Sequence, residues 1–398
     1  MSFNADRLIV KMKEHRLHAI IAATRENVRY FAGFEPVIKT LKPYGGQCYA
    51  IITYDCPQTV HIVHSIGEID QVLDAHSTIG HVFTYGTFYR EHHSGAALTQ
   101  EEEKLKQLSN NDMSYSNAEA ALGALLKQLG LLQERIGFDE DGLSSNTKNN
   151  LKNQLPQAEL VECASLIRCV RAVKTREEVM HLRASAQCIE TAIHAVVEEL
   201  YEGMNEVEIA SIFAKAVAAQ GGIPRLSMIK LGRHAVGGQR RQRSHIRLEP
   251  GDLLWFDCDV VLHGYWADIA RVFAYKTVRP EYQKYNALRT GQRIAMREVK
   301  PGMRGKDVFH LTMNAVHEAG FHNYRRHHVG HGIGLEPYEL PVLAPNSEDV
   351  IEAGMVLSIE TPYYEFGLGA LHTEDPIVVA MNGNEILTRS DSLFKVVG

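Results

Sequence analysis

GDLLWFDCDVVLHGYWADIARVF, residues 251–273, decides how this chain is read. Leu253 to Asp259 reads as one strand and Tyr265 to Phe273 as the next, and a turn around Leu262 to Gly264 joins them into an antiparallel hairpin. Centring the turn between Leu262 and His263 sets Asp257 opposite Asp268. Like charges facing each other across two strands destabilise a sheet. Leu254, Phe256, Ile269 and Val272 surround the pair and imply burial. Buried carboxylates must be neutralised, most simply by a cation.

Further along, the chain repeats the arrangement. GMVLSIETPYY, residues 354–364, is a strand carrying Glu360, and LHTEDPIVV, residues 371–379, is a strand carrying Glu374. The glycines of FGLGA connect them, and a turn centred on Gly367 places Glu360 opposite Glu374. HHVGHGIGLEPYELP, residues 327–341, adds His327 and His331, four apart, with glycines around His331 that let backbone and ligand approach closely. Four carboxylates and one imidazole are hard to borderline donors, suited to manganese, cobalt, iron or zinc in a paired site. Two such ions can share a water, make it hydroxide near neutral pH and polarise a carbonyl, which is chemistry for amide hydrolysis. Cys258 sits between Asp257 and Asp259, but a soft thiolate does not match these oxygen donors.

Outward from the two hairpins, a duplication emerges. Glu199-Leu200-Tyr201-Glu202-Gly203-Met204 resembles Glu298-Val299-Lys300-Pro301-Gly302-Met303 at an offset of 99, and Ile209/Val308, Ala216/Ala315 and Gly221/Gly320 match at the same offset. Each copy runs helix, Gly-Met, helix, Gly, and then a β-rich segment with acidic residues. The expectation is two α/β halves about a pseudo-two-fold axis, with a site between their sheets fed by both. Ahead of them, Thr175-Arg176-Glu177-Glu178 is a capping-box pattern opening a long amphipathic helix. The first part of the chain also reads as α/β, with short apolar strands near residues 18–23, 49–54, 59–64 and 136–138, and a polar stretch from 101 to 117 in which SNNDMSYSN, residues 109–117, signals a loop. The boundary falls between about 156 and 174, giving domains 1–160 and 161–398.

Composition narrows the function classes. The chain has 398 residues, 45% of them hydrophobic, and a net charge of −6, so nothing suggests a nucleic-acid partner. No stretch is apolar enough for a membrane span, and the opening MSFNADRLIVKMKEHRL carries charges where a secretion signal needs its apolar core. Six scattered cysteines without a C-x-x-C pair suit reduced thiols, so the expected location is cytoplasmic.

These residues carry a family resemblance over nearly the whole chain. It resembles the pita-bread metallopeptidases of the creatinase, aminopeptidase P and prolidase type. RENVRYFAGF, residues 25–34, looks like the creatinase-type N-terminal domain, and IRCVRAVKTREEVMHLRASA, residues 167–186, looks like the opening of the catalytic domain. Asp257 and Asp268 have the family spacing, His331 lies in G-H-G-I-G, Glu360 in G-M-V-x-x-I-E, and Glu374 precedes Asp375. The resemblance implies an α/β (α+β) chain with a pita-bread catalytic domain, two divalent ions (manganese first, with cobalt, zinc or iron as alternatives) and a homodimer. It implies that Asp268 and Glu374 bridge the ions, that Asp257 binds one, and that His331 and Glu360 bind the other. Glu360 would also relay the proton from the bridging water to the leaving nitrogen. His327 matches an active-site histidine.

Four positions depart from the family pattern. Arg240 stands where a histidine lies about seventeen residues before the first Asp, Tyr338 replaces a second histidine, His372 an arginine, and Asp259 a common glycine. Arg240 can hold a substrate carboxylate with its planar fork, or belong to an exposed basic loop. Tyr338 can donate to an oxyanion or simply pack as an aromatic. His372 joins them as a substrate-binding candidate. Asp259 reads as an outer anchor, an extra ligand or an exposed carboxylate. The leading expectation is an Xaa-Pro dipeptidase or aminopeptidase acting on small peptides. A metal-dependent lyase or amide hydrolase for a small non-peptide substrate is the alternative, and a non-catalytic binding protein a third reading that the full ligand set opposes.

Overall fold

A computed structural model describes residues 3–43, 45–277 and 280–398. The chain divides into two compact units, Met1–Arg171 and Ala172–Gly398. The first is a six-stranded mixed sheet in the order Thr78–Tyr85, Thr59–Ser65, Tyr49–Thr53, Ala19–Ala22, Arg135–Phe138, Glu159–Glu162. Alternating apolar residues such as Ile21, Ile51, Val63 and Ile136 bury one face against Leu122 and Leu125 of the Ala118–Gln128 helix. The RENVRYFA helix, Arg25–Ala32, is held by the buried Asp139 carboxylate, which accepts from the backbone N–H groups of Ala23 and Thr24, the Thr24 hydroxyl and the Asn27 amide at 2.8–3.0 Å. The polar stretch opens with a helix, Gln100–Leu108, capped by a reciprocal Thr99/Glu102 box, and the helix ends where the loop signal at 109–117 begins.

In the second unit, the duplication is physical. The Thr175/Glu178 capping box closes at 2.8 and 3.2 Å and opens Arg176–Glu199; the matching helix of the other half is Tyr282–Glu298. Each is followed by a glycine in the left-handed region, Gly203 at φ 88° and Gly302 at φ 93°, and then by the helices Glu206–Ala219 and Gly305–Glu318, whose bounds are 99 residues apart. The glycines turn the chain where any side chain would be strained.

The main path of this unit's sheet runs Glu339–Val342, Gly330–Gly332, Val356–Glu360, Glu374–Val378, Tyr265–Tyr275, Leu253–Leu262, Ile223–Leu231. The two halves meet at its centre, where Glu374 pairs with Ala270. The expected facing of Glu360 and Glu374 is present. The first hairpin differs from expectation: Asp257 faces Ala270, and Asp268 faces Asp259. The cause is the turn. His263 and Gly264 both take positive φ, 51° and 79°, forming a two-residue loop between Leu262 and Tyr265. The register therefore shifts by two, and because side-chain direction has period two, Asp257 and Asp268 keep their common face. Among the described residues no helix is long and apolar enough to cross a membrane.

Candidate metal centre

Register builds the site. Glu360 faces Glu374, Glu374 faces Ala270, and Ala270 faces Asp257, so one row across four strands carries three carboxylates around a small methyl. Residues directly opposite in a sheet project to the same side. Asp268 lies two residues before Ala270 and joins them, as does Asp259 across from it. His331 comes from the short Gly330–Gly332 strand, opposite Ser358. Gly330 sits at φ 143°, and a Cβ there would fall 2.1 Å from the Ser358 carbonyl oxygen, so only glycine brings His331 this close.

Asp257, Asp259, Asp268, His331, Glu360, His372 and Glu374 are all buried. Two groups of donor atoms lie close enough together to share an ion: Asp257, His372 and Glu374, and Asp268, His331 and Glu374. His331 Nδ1 lies 3.0 Å from the Gly332 carbonyl oxygen, which fixes Nε2 toward Asp268 and Glu374 at 4.0 and 3.9 Å. Ser358 Oγ donates to Glu374 Oε1 at 2.8 Å. Behind the row, the Arg271 guanidinium donates to the Glu374 carbonyl and to Asp375 Oδ1 at 2.8 and 2.5 Å, while the Gln292 amide reaches both Asp375 Oδ2 and the Ile359 carbonyl. That buried network ties the Glu360 and Glu374 strands together.

The electrostatics call for cations. Burial, then repulsion from neighbouring carboxylates, pushes Asp268 and Glu374 well above the usual carboxylate range, and burial with Asp257 nearby pushes Asp259 to about 8. Glu360 goes the other way: its burial is outweighed by His328 and His372, which hold it well below that range. Asp259 Oδ1, Asp268 Oδ1, His331 Nε2 and both nitrogens of His372 are buried without a hydrogen-bond partner. Orphaned carboxylate oxygens beside an orphaned imidazole nitrogen fit divalent ions by donor chemistry.

A cleft of about 610 Å³ opens onto Asp257 and Glu360. Arg240, His327 and Tyr338, expected at the site, all line it. Tyr338 stacks on the His331 ring at 3.7 Å and is 56% exposed. Burial and the nearby carboxylates raise its hydroxyl, so it stays a donor. His327 is exposed on the wall; it is His328 whose Nδ1 lies 2.9 Å from Glu360 Oε1. Arg326 Nη2 lies 3.8 Å from Glu360 Oε2. Sequence reasoning missed His328, Arg326, Trp255 and Tyr364. The chain ahead of Gly330 is irregular, and no period tells which way its side chains point. His372, expected at the substrate, instead lies among the carboxylates, its ring stacked on Trp255.

The model of "Metallopeptidase family M24" matches residues 180–380, and that of the "Creatinase/Prolidase N-terminal domain" matches residues 5–173. The chain belongs to metallopeptidase family M24. This M24 chain is 28% identical over 260 residues to the Xaa-Pro dipeptidase of Pyrococcus furiosus, covering 65% of the chain and 74% of the relative. It is 28% identical over 264 residues to the uncharacterized peptidase YqhT of Bacillus subtilis, covering 65% and 73%. Among solved structures, the Xaa-Pro dipeptidase from Bacillus anthracis matches with a TM-score of 0.78 at 23% identity over 99% of both chains. The X-Pro aminopeptidase from Thermotoga maritima matches at 0.76 and 19%, again over 99% of both. These likenesses carry the fold, the pita-bread arrangement of an M24 enzyme behind a creatinase-type N-terminal domain. M24 enzymes use divalent metal ions, in keeping with the Asp, His and Glu groups of this sheet.

Proposed function

We propose that this M24 chain hydrolyses the peptide bond of Xaa-Pro substrates, as a dipeptidase or an aminopeptidase P-like enzyme. The observation that carries the proposal is the row of buried carboxylates with His331, open on one side to a cleft large enough for a short peptide. Asp257, Asp268, His331, Glu360 and Glu374 would hold two divalent ions. Bound there, the ions supply Lewis acidity and activate a water near neutral pH.

The chain's own groups do the rest. Glu360, held ionised by His328 beside it, accepts the proton of the attacking water and delivers it to the leaving proline nitrogen. The Tyr338 hydroxyl donates to the oxygen that gains charge at the scissile carbonyl. Arg240, exposed on the cleft wall, takes the substrate carboxylate, and His327 lines the path beside it. The homodimer expected from the family resemblance belongs to the same proposal.

The test is to strip the purified protein of metal, reload it with manganese, cobalt, zinc or iron, and follow proline or amino-acid release from Xaa-Pro dipeptides and longer Xaa-Pro peptides. Metal-dependent release that Asp268→Ala and Glu374→Ala both abolish is expected, and the length preference separates dipeptidase from aminopeptidase. Metal uptake with no release from any peptide would overturn the proposal in favour of a small non-peptide substrate held by Arg240 and Tyr338.

A further inference from the structure

We infer that His372 is itself a ligand of the metal centre, so that each of the two ions takes one imidazole. The inference rests on the metal centre proposed above and not on its substrate. His372 precedes Glu374 by two residues, is 1% exposed, and is held flat by Trp255. Its Nδ1 lies 3.4 Å from Asp257 Oδ2, and its Nε2 lies 3.4 Å from Glu360 Oε2 and 3.5 Å from Glu374 Oε2.

These spacings choose between two roles. An imidazolium paired with carboxylates for its own sake closes to about 2.7–2.9 Å. Donor atoms that share one ion, each bound at about 2.1 Å, stand roughly 3.0–3.4 Å apart. Nε2, 3.4 Å from Glu360 Oε2 and 3.5 Å from Glu374 Oε2, stands beyond ion-pair contact and close to that ligand spacing, and neither ring nitrogen has a hydrogen-bond partner. The ligand groups agree independently: Asp257, His372 and Glu374 form one, Asp268, His331 and Glu374 the other, with Glu374 shared. Each is one imidazole and two carboxylates. The second ring nitrogen keeps a carboxylate oxygen beside it, the usual way of fixing a ligating histidine.

A second imidazole makes the centre less purely oxygen-lined. Imidazole suits zinc and iron, carboxylate and water suit manganese, and cobalt(II) binds a given nitrogen-containing site more tightly than manganese does. Replacing His372 by arginine, which cannot ligate, should therefore weaken one ion and not the other, and should cost cobalt more than manganese.

Proton NMR of the wild-type chain loaded with two equivalents of cobalt(II) tests this directly. The expected spectrum has two exchangeable, strongly shifted imidazole N–H signals, from His331 and His372. In His372→Arg one signal disappears, and cobalt affinity at one of the two sites falls by more than the roughly 10–100-fold that loss of an outer partner costs. One signal in the doubly loaded wild type, or unchanged cobalt affinity in the variant, would overturn the inference while leaving the metal centre intact. Failure of the wild type to take up cobalt at all would remove the centre and the inference together.

Discussion

Arg240 and Tyr338 bring different chemistry to one cleft, and their substitutions should separate in kinetics. Tyr338 is placed to act on charge that develops during reaction, so Tyr338→Phe should lower kcat about 100-fold with little change in KM. Arg240 contacts a substrate charge present from the start, so Arg240→Ala should raise KM about 10–100-fold with kcat nearly kept. Arg240→Lys should recover only part of this, because an ammonium lacks the planar fork. Steady-state kinetics on an Xaa-Pro dipeptide checks all three. A kcat loss in Arg240→Ala equal to that in Tyr338→Phe would assign both residues to one role. At this scale the sequence was most informative where residue type alone limits chemistry: Asp257, Asp268, His331, Glu360 and Glu374 could be chosen as donors from their types and spacing. It was least informative where direction matters. His327 and His328 are neighbours of identical chemistry, and only the irregular backbone before Gly330 decides that His328 reaches Glu360.

Strands and turns set what could be read of the elements. The Glu360–Glu374 register was legible because Gly367, at φ 88°, marks the middle of its connection. The Asp257 hairpin was not, since His263 also takes positive φ, a conformation uncommon outside glycine. The same limit hid the Lys174–Glu339 pair, whose partners are 165 residues apart and both buried, 2.8 Å from each other. Glu339 also accepts the backbone N–H groups of Leu335 and Glu336, so it holds the loop that presents Tyr338. Lys174→Met leaves that carboxylate buried without its cation, and should cost about 3–5 kcal/mol. Denaturant unfolding of the metal-free chain measures this, and a loss below about 1 kcal/mol would mean that Glu339 relaxes to water.

For the whole molecule, the offset of 99 residues foretold two halves, and the structure shows why both are needed. Each half contributes one hairpin, and the ligand row is complete only where Glu374 of the second meets Ala270 of the first. A centre assembled this way binds nothing in the unfolded chain, so bound metal adds directly to stability. Most direct as a test is the number of divalent ions per chain, counted by elemental analysis after equilibrium dialysis of the wild type and Asp268→Ala. Two ions in the wild type, with loss of both or of all but weak binding in the variant, is the expected result. One ion or none in the wild type, or two tightly held ions in Asp268→Ala, would contradict a two-metal centre built on this sheet.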